Sequence, residues 1–375
     1  MVSAGSGTIS LGKRHSLIVK PDTSVWAAGG NQFGQLGFDS QTKFKSYFVE
    51  VLAGGVKAVA AGSEHSMVLG DDGSVWGTGR NYHGQLGDGS TIDRDGFVEV
   101  MPSNAKAVAA GSKHSLVVKE DGSVWSTGCN AHGQLGDGTT SNRMVFARVL
   151  LSGAEAVSAG VEHSMVLGRD GSVLVTGGNK FGQLGDGSIT SRLTFLEVLS
   201  SSATAIAAGG YHSVILKKDG SVWAMGDNSY GQLGDGSVTA RQVMHMSAVG
   251  SMESGGGSSV QAIAAGLFHS MVLRDDGSVW AVGSNHSGQL GDGSTESVDQ
   301  HTVYIRVASK QVARAVAVAA GYFHSMILRY DGDIWGMGEN NVGQLGDGSR
   351  AEKEKSARAS QTSDHGARCI LALAR

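Results

Sequence analysis

The sequence has 375 residues, of which 40% are apolar, and it carries a formal net charge of −4, 58 glycines, two prolines and two cysteines. Two cysteines exclude a disulfide framework, and the slightly negative charge offers no general positive field to nucleic acid or anionic lipid. The N-terminus shows no signal-peptide pattern and no run of about 18 apolar residues occurs, so we expect an intracellular protein, cytoplasmic or nuclear, that does not contact a membrane.

One stretch recurs along the whole chain. The tetrapeptide Gly-Gln-Leu-Gly begins seven times, at Gly34, Gly84, Gly133, Gly182, Gly231, Gly288 and Gly343. The copies are 50, 49, 49, 49, 57 and 55 residues apart, a period that is typical of propeller and solenoid repeats. Because a repeat array forms one continuous structure, we predict a single domain over residues 1–375.

Each copy contains four short apolar or β-branched runs bounded by turn residues. In the second copy these runs predict strands over approximately 57–61, 66–69, 74–78 and 97–100. Asp72-Gly73 separates the second run from the third, and Asp-Gly between apolar runs is a strong hairpin signal because glycine tolerates a positive φ. The pattern predicts an all-β fold with about four strands in each repeat.

Tryptophan occupies one position of the third predicted strand. Neighbouring residues in a strand point to opposite faces, so two apolar residues in succession, Val75 and Trp76, predict a sheet that is covered on both sides. Recurrence at one position favours core packing over ligand stacking. The six tryptophans of the chain are Trp26, Trp76, Trp125, Trp223, Trp280 and Trp335.

Every copy also has a histidine followed by serine at one equivalent position. One histidine per repeat is spread around the array, so these side chains cannot converge on a metal ion, and we expect each to form a hydrogen bond within its own repeat. We predict no catalytic, metal or cofactor site. The histidines are His15, His65, His114, His163, His212, His269 and His324.

The C-terminal part departs from the repeat pattern. Residues 350–368 are rich in charge and precede an apolar stretch at 369–374. We predict that 350–368 is a charged insertion and that 369–374 pairs into a sheet as a closing strand, since an unpaired apolar strand would be an aggregation edge.

Together the motifs resemble the repeat of the regulator of chromosome condensation family. They are Ala-Ala-Gly-x-x-His-Ser, Asp-Gly-x-Val-Trp and Asn-x-x-Gly-Gln-Leu-Gly-Asp-Gly, as in Ala60–Ser66, Asp72–Trp76 and Asn81–Gly89. The resemblance covers essentially the whole chain and implies a seven-bladed β-propeller.

The same resemblance leaves function open, because one fold can carry unrelated activities. The family's founding member is a guanine nucleotide exchange factor for the small GTPase Ran, and similar propellers recruit partners within HECT-type ubiquitin ligases. Every candidate polar residue here recurs from repeat to repeat, which favours a non-enzymatic scaffold that binds another protein. Exchange on a Ran-like GTPase and a fragment of a HECT-type ligase remain the alternatives.

The two positions before each repeated histidine differ among the copies. Copies one to four carry mainly charged or small residues there, whereas later copies carry larger apolar ones. We predict that these form a partner-binding patch on one arc of one face, because clustered exposed aromatic residues mark interfaces. The alternative that they pack into the neighbouring blade stays open. The patch residues are Tyr211, Leu267, Phe268, Tyr322 and Phe323.

Overall fold

The computed structural model describes residues 8–251, 259–293, 300–307 and 314–359. Within these ranges the strands form seven sheets, each of four antiparallel strands that follow one another in the chain. The inner strands of neighbouring sheets contact each other around a ring. The all-β, seven-bladed propeller predicted from the repeats is therefore confirmed, with one repeat in each blade.

The strands occupy the same four positions in every blade. The inner strands are β1 (Ile9–Leu11), β5 (Val56–Ala61), β9 (Ala105–Ala110), β13 (Ala154–Ala159), β17 (Ala203–Ala208), β21 (Val260–Ala265) and β25 (Ala315–Ala320). The second strands are β2 (His15–Val19), β6 (His65–Gly70), β10 (His114–Lys119), β14 (His163–Gly168), β18 (His212–Lys217), β22 (His269–Arg274) and β26 (His324–Arg329).

The third strands are β3 (Val25–Gly30), β7 (Val75–Gly79), β11 (Val124–Gly128), β15 (Val173–Gly177), β19 (Val222–Gly226), β23 (Val279–Ser284) and β27 (Ile334–Gly338). The outer strands are β4 (Phe44–Leu52), β8 (Arg94–Met101), β12 (Arg143–Leu150), β16 (Arg192–Leu199), β20 (Arg241–Met246), β24 (Gln300–Arg306) and β28 (Lys353–Arg358). A 3-10 turn covers Ala248–Ser251, and no helix in the described ranges is long and apolar enough to cross a lipid bilayer.

The predicted strands of the second copy agree closely with β5, β6 and β7, whereas the outer strand is longer than predicted. It runs over Arg94–Met101 instead of 97–100. Its first residue pairs with Gly79 across a bulge. The first residues of this strand are polar residues and a glycine, which are depleted in strands. The apolar pattern therefore predicted a start that is too late.

The apolar core lies between the blades. One cluster joins Leu17 and Leu36 of the first blade to Val59 and Val68 of the second, with Trp76 packed against it. Equivalent clusters fill the other blade interfaces. Each blade therefore buries its faces against its two neighbours, which is the covering on both sides that the strand pattern requires.

The ring closes between the seventh and first blades. A cluster containing Ile18, Phe48 and Met326 fills this interface, and Gly348 N donates to Ser46 O over 2.7 Å. The seventh blade already contains four strands.

The prediction of a charged insertion over 350–368 is wrong in its first part, since β28 is the outer strand of the seventh blade and pairs with β27. Glu354 and Arg358 are exposed, as suits an edge strand that faces solvent. Residues 360–368 and the predicted closing strand at 369–374 lie outside the described residues.

Two types of loop share one end of the ring. The first strand ends just before the repeated histidine begins the second, and the third strand leads into the Gly-Gln-Leu-Gly loop. Because strands alternate in direction, both loops lie on the same face, which we call the histidine-loop face. The Asp-Gly turns and the connections to the next blade lie on the opposite face.

Candidate functional site

The repeated histidines link neighbouring blades. His65 Nε2 lies 3.0 Å from Ser115 Oγ in the next blade, and Ser115 Oγ donates its proton to Gln85 O over 2.7 Å. The hydroxyl can therefore only accept from His65, which places the imidazole proton on Nε2. The same bond joins every successive pair of blades, ending with His324 and Ser16.

This geometry corrects the expectation that each histidine bonds within its own repeat. The imidazole points toward the next blade, and the glycine that directly follows the inner strand makes room for it. A Cβ on Gly62 would lie 2.3 Å from His65 Cε1 and 2.5 Å from the carbonyl oxygen of Gly111. A single sequence shows the repetition of the histidine but not which blade it contacts.

The seven repeated histidines form a belt around the ring, which we call the histidine belt, and this belt is electrically neutral. All seven histidines are fully buried, and burial lowers their pKa values, to about 4 for His114 and about 3 for His65. Each Nδ1 is buried without a hydrogen-bond partner in the described part of the chain. A buried imidazole with such a low pKa stays uncharged near neutral pH, so it is not suited to proton transfer. The histidines instead join neighbouring blades through their hydrogen bonds to serine. Among the described residues, no three or more His, Cys, Asp or Glu side chains are grouped closely enough to hold a metal ion.

Hydrogen bonds fix the Gly-Gln-Leu-Gly loops. In the second blade Asn81 Oδ1 accepts from Leu86 N over 3.0 Å, and Asn81 Nδ2 donates to Asp88 over 2.9 Å. Arg94 forms an ion pair with Asp88 at 2.6 Å, and Leu86 is fully buried. Such loops are rigid supports, and the side chains that vary between them are displayed in defined positions.

Tyr322 contacts two other blades on the histidine-loop face. Its backbone N donates to Gly12 O of the first blade over 3.3 Å, and its phenol is hydrogen-bonded to the Ser63 hydroxyl of the second blade. Ser63 Oγ in turn donates to Ser112 Oγ of the third blade over 3.0 Å. Burial raises the pKa of the Tyr322 phenol, which remains neutral and links the seventh blade to the second.

Aromatic side chains from the fourth to the seventh blade form what we call the aromatic arc. Its members are half-buried: Phe181, Tyr211, Tyr230, Phe268, Tyr322 and Phe323. Ring centroids lie 5.0 Å apart for Tyr230 and Phe268, 6.4 Å for Phe268 and Phe323, and 5.3 Å for Phe181 and Tyr211. These separations are those of aromatic pairs in contact.

The five predicted patch residues have different surroundings. Phe268, Tyr322 and Phe323 form one connected group, whereas Tyr211 contacts Phe181. Leu267 packs over Gly210, where a Cβ would lie 2.5 Å from Leu267 Cδ1.

Sequence reasoning missed Phe181 and Tyr230, which stand immediately before a Gly-Gln-Leu-Gly copy. That position also varies between repeats, so the comparison applied before the histidines could have found them. Its occupants along the chain are Phe33, His83, His132, Phe181, Tyr230, Ser287 and Val342.

The rest of this face is charged. Glu64 is paired with Arg80, and Glu162 Oε1 lies 3.3 Å from His132 Nε2. A small cleft between the first and second blades, which we call the cationic cleft, is lined by Lys13, Arg14, Gln32, Phe33, Ser63 and Glu64. The histidine-loop face therefore has a charged part and an aromatic part, although the belt beneath it repeats regularly.

Comparisons with known proteins agree with this architecture. The model of the RCC1-like domain matches residues 4–255, and models of the regulator of chromosome condensation (RCC1) repeat match 260–289, 315–344 and 276–328. The human protein RCC2 is 36% identical over 84 residues, which are 22% of this chain and 16% of the human protein. The chain thus matches only a small part of that relative.

Solved structures show the same fold. Human WBSCR16 superposes with a TM-score of 0.78 at 21% identity, covering 90% of this chain and 93% of that one. Yeast RCC1 (Prp20), solved bound to Kap60, gives a TM-score of 0.76 at 19% identity, covering 92% and 86%. Since the RCC1-like domain model alone matches more than half of the residues, the chain belongs to the RCC1-like repeat family.

Proposed function

We propose that this chain is a non-enzymatic protein-interaction propeller that binds a protein partner through the histidine-loop face. The observation that carries the proposal is the aromatic arc, in which Phe268 contacts both Tyr230 and Phe323 while all three remain partly accessible. Aromatic residues dominate the energetics of protein interfaces, and they do so most where rigid elements hold them.

The arc departs from the sevenfold pattern, and this departure supports a binding role. The belt, the loop asparagines and the buried leucines recur because every blade interface needs them. The positions before the histidines carry no such requirement, since Lys13-Arg14 and Tyr322-Phe323 occupy equivalent places in neighbouring blades. Residues that vary on a repeated scaffold are those available for recognition.

Nucleotide exchange on a small GTPase is the main alternative. The solved structure of Prp20p from Saccharomyces cerevisiae was described with its binding properties to Gsp1p and histones. At 20% identity this similarity supports the fold and carries no activity over to our chain. A substrate-recruiting propeller of a HECT-type ligase would bind its partner as we propose. Measuring the release of a fluorescent nucleotide from Ran-like and Rab-like GTPases distinguishes a scaffold from an exchange factor. If the propeller accelerates this release, the proposal of a passive scaffold is wrong and the chain is an exchange factor.

The proposal is tested by comparing two double variants. Phe268→Ser with Phe323→Ser removes the centre of the arc, and Leu151→Ser with Tyr330→Ser removes two apolar side chains of the opposite face that are 74% and 68% exposed. Proteins captured from an extract of the source organism are quantified for each variant, with the melting temperature measured in parallel.

We expect partners that the wild type and L151S/Y330S retain and that F268S/F323S loses, at a similar melting temperature. A large fall in the melting temperature of F268S/F323S would show that these rings serve packing. Equal capture by all three proteins would refute binding through this face.

A further inference from the structure

We propose that the partner segment bound by the histidine-loop face is acidic as well as apolar: an extended peptide whose carboxylates meet the cationic cleft and whose apolar side chains meet the aromatic arc. This inference rests on the proposed function and adds the chemistry of the partner. It follows from which charges on the face are already paired and which are not.

Three cations of this face are uncommitted. Lys13 is half-buried and Arg14 and Lys113 are exposed, and in the described part of the chain none of the three forms an ion pair or a side-chain hydrogen bond. Glu339 interacts electrostatically with Arg14 and Lys13. Burial raises the pKa of the Glu339 carboxyl although Arg14 opposes the shift. One carboxylate cannot compensate two cations, so a positive charge remains.

Three acidic side chains of this face are already engaged. Glu64 is paired with Arg80, and Glu162 lies 3.3 Å from His132. Asp227 is only 4% exposed and accepts a hydrogen bond from Gln232 Nε2 at 2.8 Å. Of the charged residues that line the cationic cleft, Glu64 is paired with Arg80 whereas Lys13 and Arg14 are not paired within the described ranges, so the cleft presents positive charge to a partner. Complementary interfaces oppose such charge with negative groups.

The cationic cleft and the aromatic arc form a continuous surface. Ser63 lines the cleft and is hydrogen-bonded to Tyr322. Tyr322 contacts Phe323, whose ring lies 6.4 Å from that of Phe268. One extended segment that carries acidic residues next to apolar ones can thus meet both parts.

A single-stranded nucleic acid also combines negative charge with stacking rings. It gains affinity mainly from many phosphate contacts, however, and this face offers few free cations on a chain whose net charge is −4. The observations therefore favour a peptide, and nucleic acid becomes an outcome of the test.

The experiment is a selection of random peptides of about 12 residues displayed on phage, with the full chain as target. The enriched peptides are synthesised with a dye, and their affinity is measured by fluorescence anisotropy. The site variant is Lys13→Glu with Arg14→Glu. The matched control is Lys57→Glu with Lys218→Glu, because both of these lysines are exposed and lie toward the opposite end of their blades.

We expect an enriched pool that is net negative and contains aromatic or aliphatic residues. Its members should bind K13E/R14E at least about tenfold more weakly than wild type and bind K57E/K218E as wild type does. Binding should also weaken as NaCl rises from about 50 to about 500 mM, since exposed charges are screened.

Several results would overturn the inference: a neutral or basic pool, equal affinity for K13E/R14E and wild type, tighter binding of a labelled single-stranded RNA of similar length, or a stable dimer that occupies the face. A non-acidic pool that F268S/F323S fails to bind would overturn this inference and leave the proposed function standing. Absence of enrichment, or binding that is indifferent to F268S/F323S, would overturn both.

Discussion

Mild acid should unfold this propeller because of the histidine belt. Burial lowers the pKa of every belt histidine from 6.5, to about 4 in His15, His114 and His212 and to about 3 in the other four. The unfolded chain therefore binds more protons than the folded one below pH 6.5. Stability is complete above that pH and is lost progressively as the pH falls toward the folded pKa values.

The size of the effect follows from the number of histidines. Between pH 7.5 and pH 5.5, a histidine that titrates near 6.5 only when unfolded reduces the free energy of unfolding by about 1.4 kcal/mol. All seven histidines together give about 10 kcal/mol, which is comparable with the whole stability of an ordinary domain.

Carboxylates contribute little in this pH range. Hydrogen bonds from Ser74 hold the pKa of Asp72 below its ordinary value, so such groups act at lower pH. Glu339, whose pKa is raised by burial, acts weakly in the opposite direction.

Urea unfolding followed by tryptophan fluorescence, at a series of pH values from about 8 to about 5.5, measures this slope. The free energy of unfolding of His114→Gln should fall by about 1.4 kcal/mol less than that of wild type over the same range. The variant lacks one of the histidines that bind a proton in the unfolded chain but not in the folded one. Leu151→Gln is the control, since Leu151 is exposed and its replacement changes no titratable group, so the slope should equal that of wild type. Wild-type stability that stays flat from pH 7.5 to 5.5, or identical slopes for wild type and H114Q, would refute the reasoning.

Three further predictions concern packing and use the same urea assay. Trp280→Ala should lower the free energy of unfolding by about 3–5 kcal/mol because this indole is 8% exposed in a blade interface; a loss below about 1 kcal/mol would contradict that placement. Gly62→Ala should destabilise by about 1–3 kcal/mol, since the added methyl would overlap His65, and a neutral result would mean that the imidazole does not pack against Gly62. Tyr322→Phe should cost about 0.5–1.5 kcal/mol by removing the bond to Ser63, and the loss should disappear when Ser63 is already alanine.

The repeat pattern predicts most of the fold. Local signals such as Asp72-Gly73 and the apolar runs around it located three strands of the second blade to within a residue or so, because turn chemistry and alternation act over short distances. The outer strand β8 began earlier than predicted, and β28 was mistaken for an insertion. Exposed outer strands carry polar residues, so apolar patterning is weakest there.

Contacts between repeats were harder to predict. The histidine was recognised as a recurring structural residue, but a single repeat cannot show that His65 bonds to Ser115 of the next blade. In the same way, the residues before the histidines gave part of the aromatic arc, while Tyr230 comes from another loop. The span of Tyr322 to Ser63 joins residues far apart in sequence, and only the closed ring brings them together.

The most direct measurement of the proposed function is the affinity of one selected peptide for three proteins: wild type, F268S/F323S and L151S/Y330S. We predict that wild type and L151S/Y330S bind it equally and that F268S/F323S binds at least about tenfold more weakly, as expected when central aromatic residues leave an interface, with a melting temperature close to that of wild type. Equal affinity for all three proteins, or a loss of binding that accompanies a large fall in melting temperature, would contradict binding through the aromatic arc.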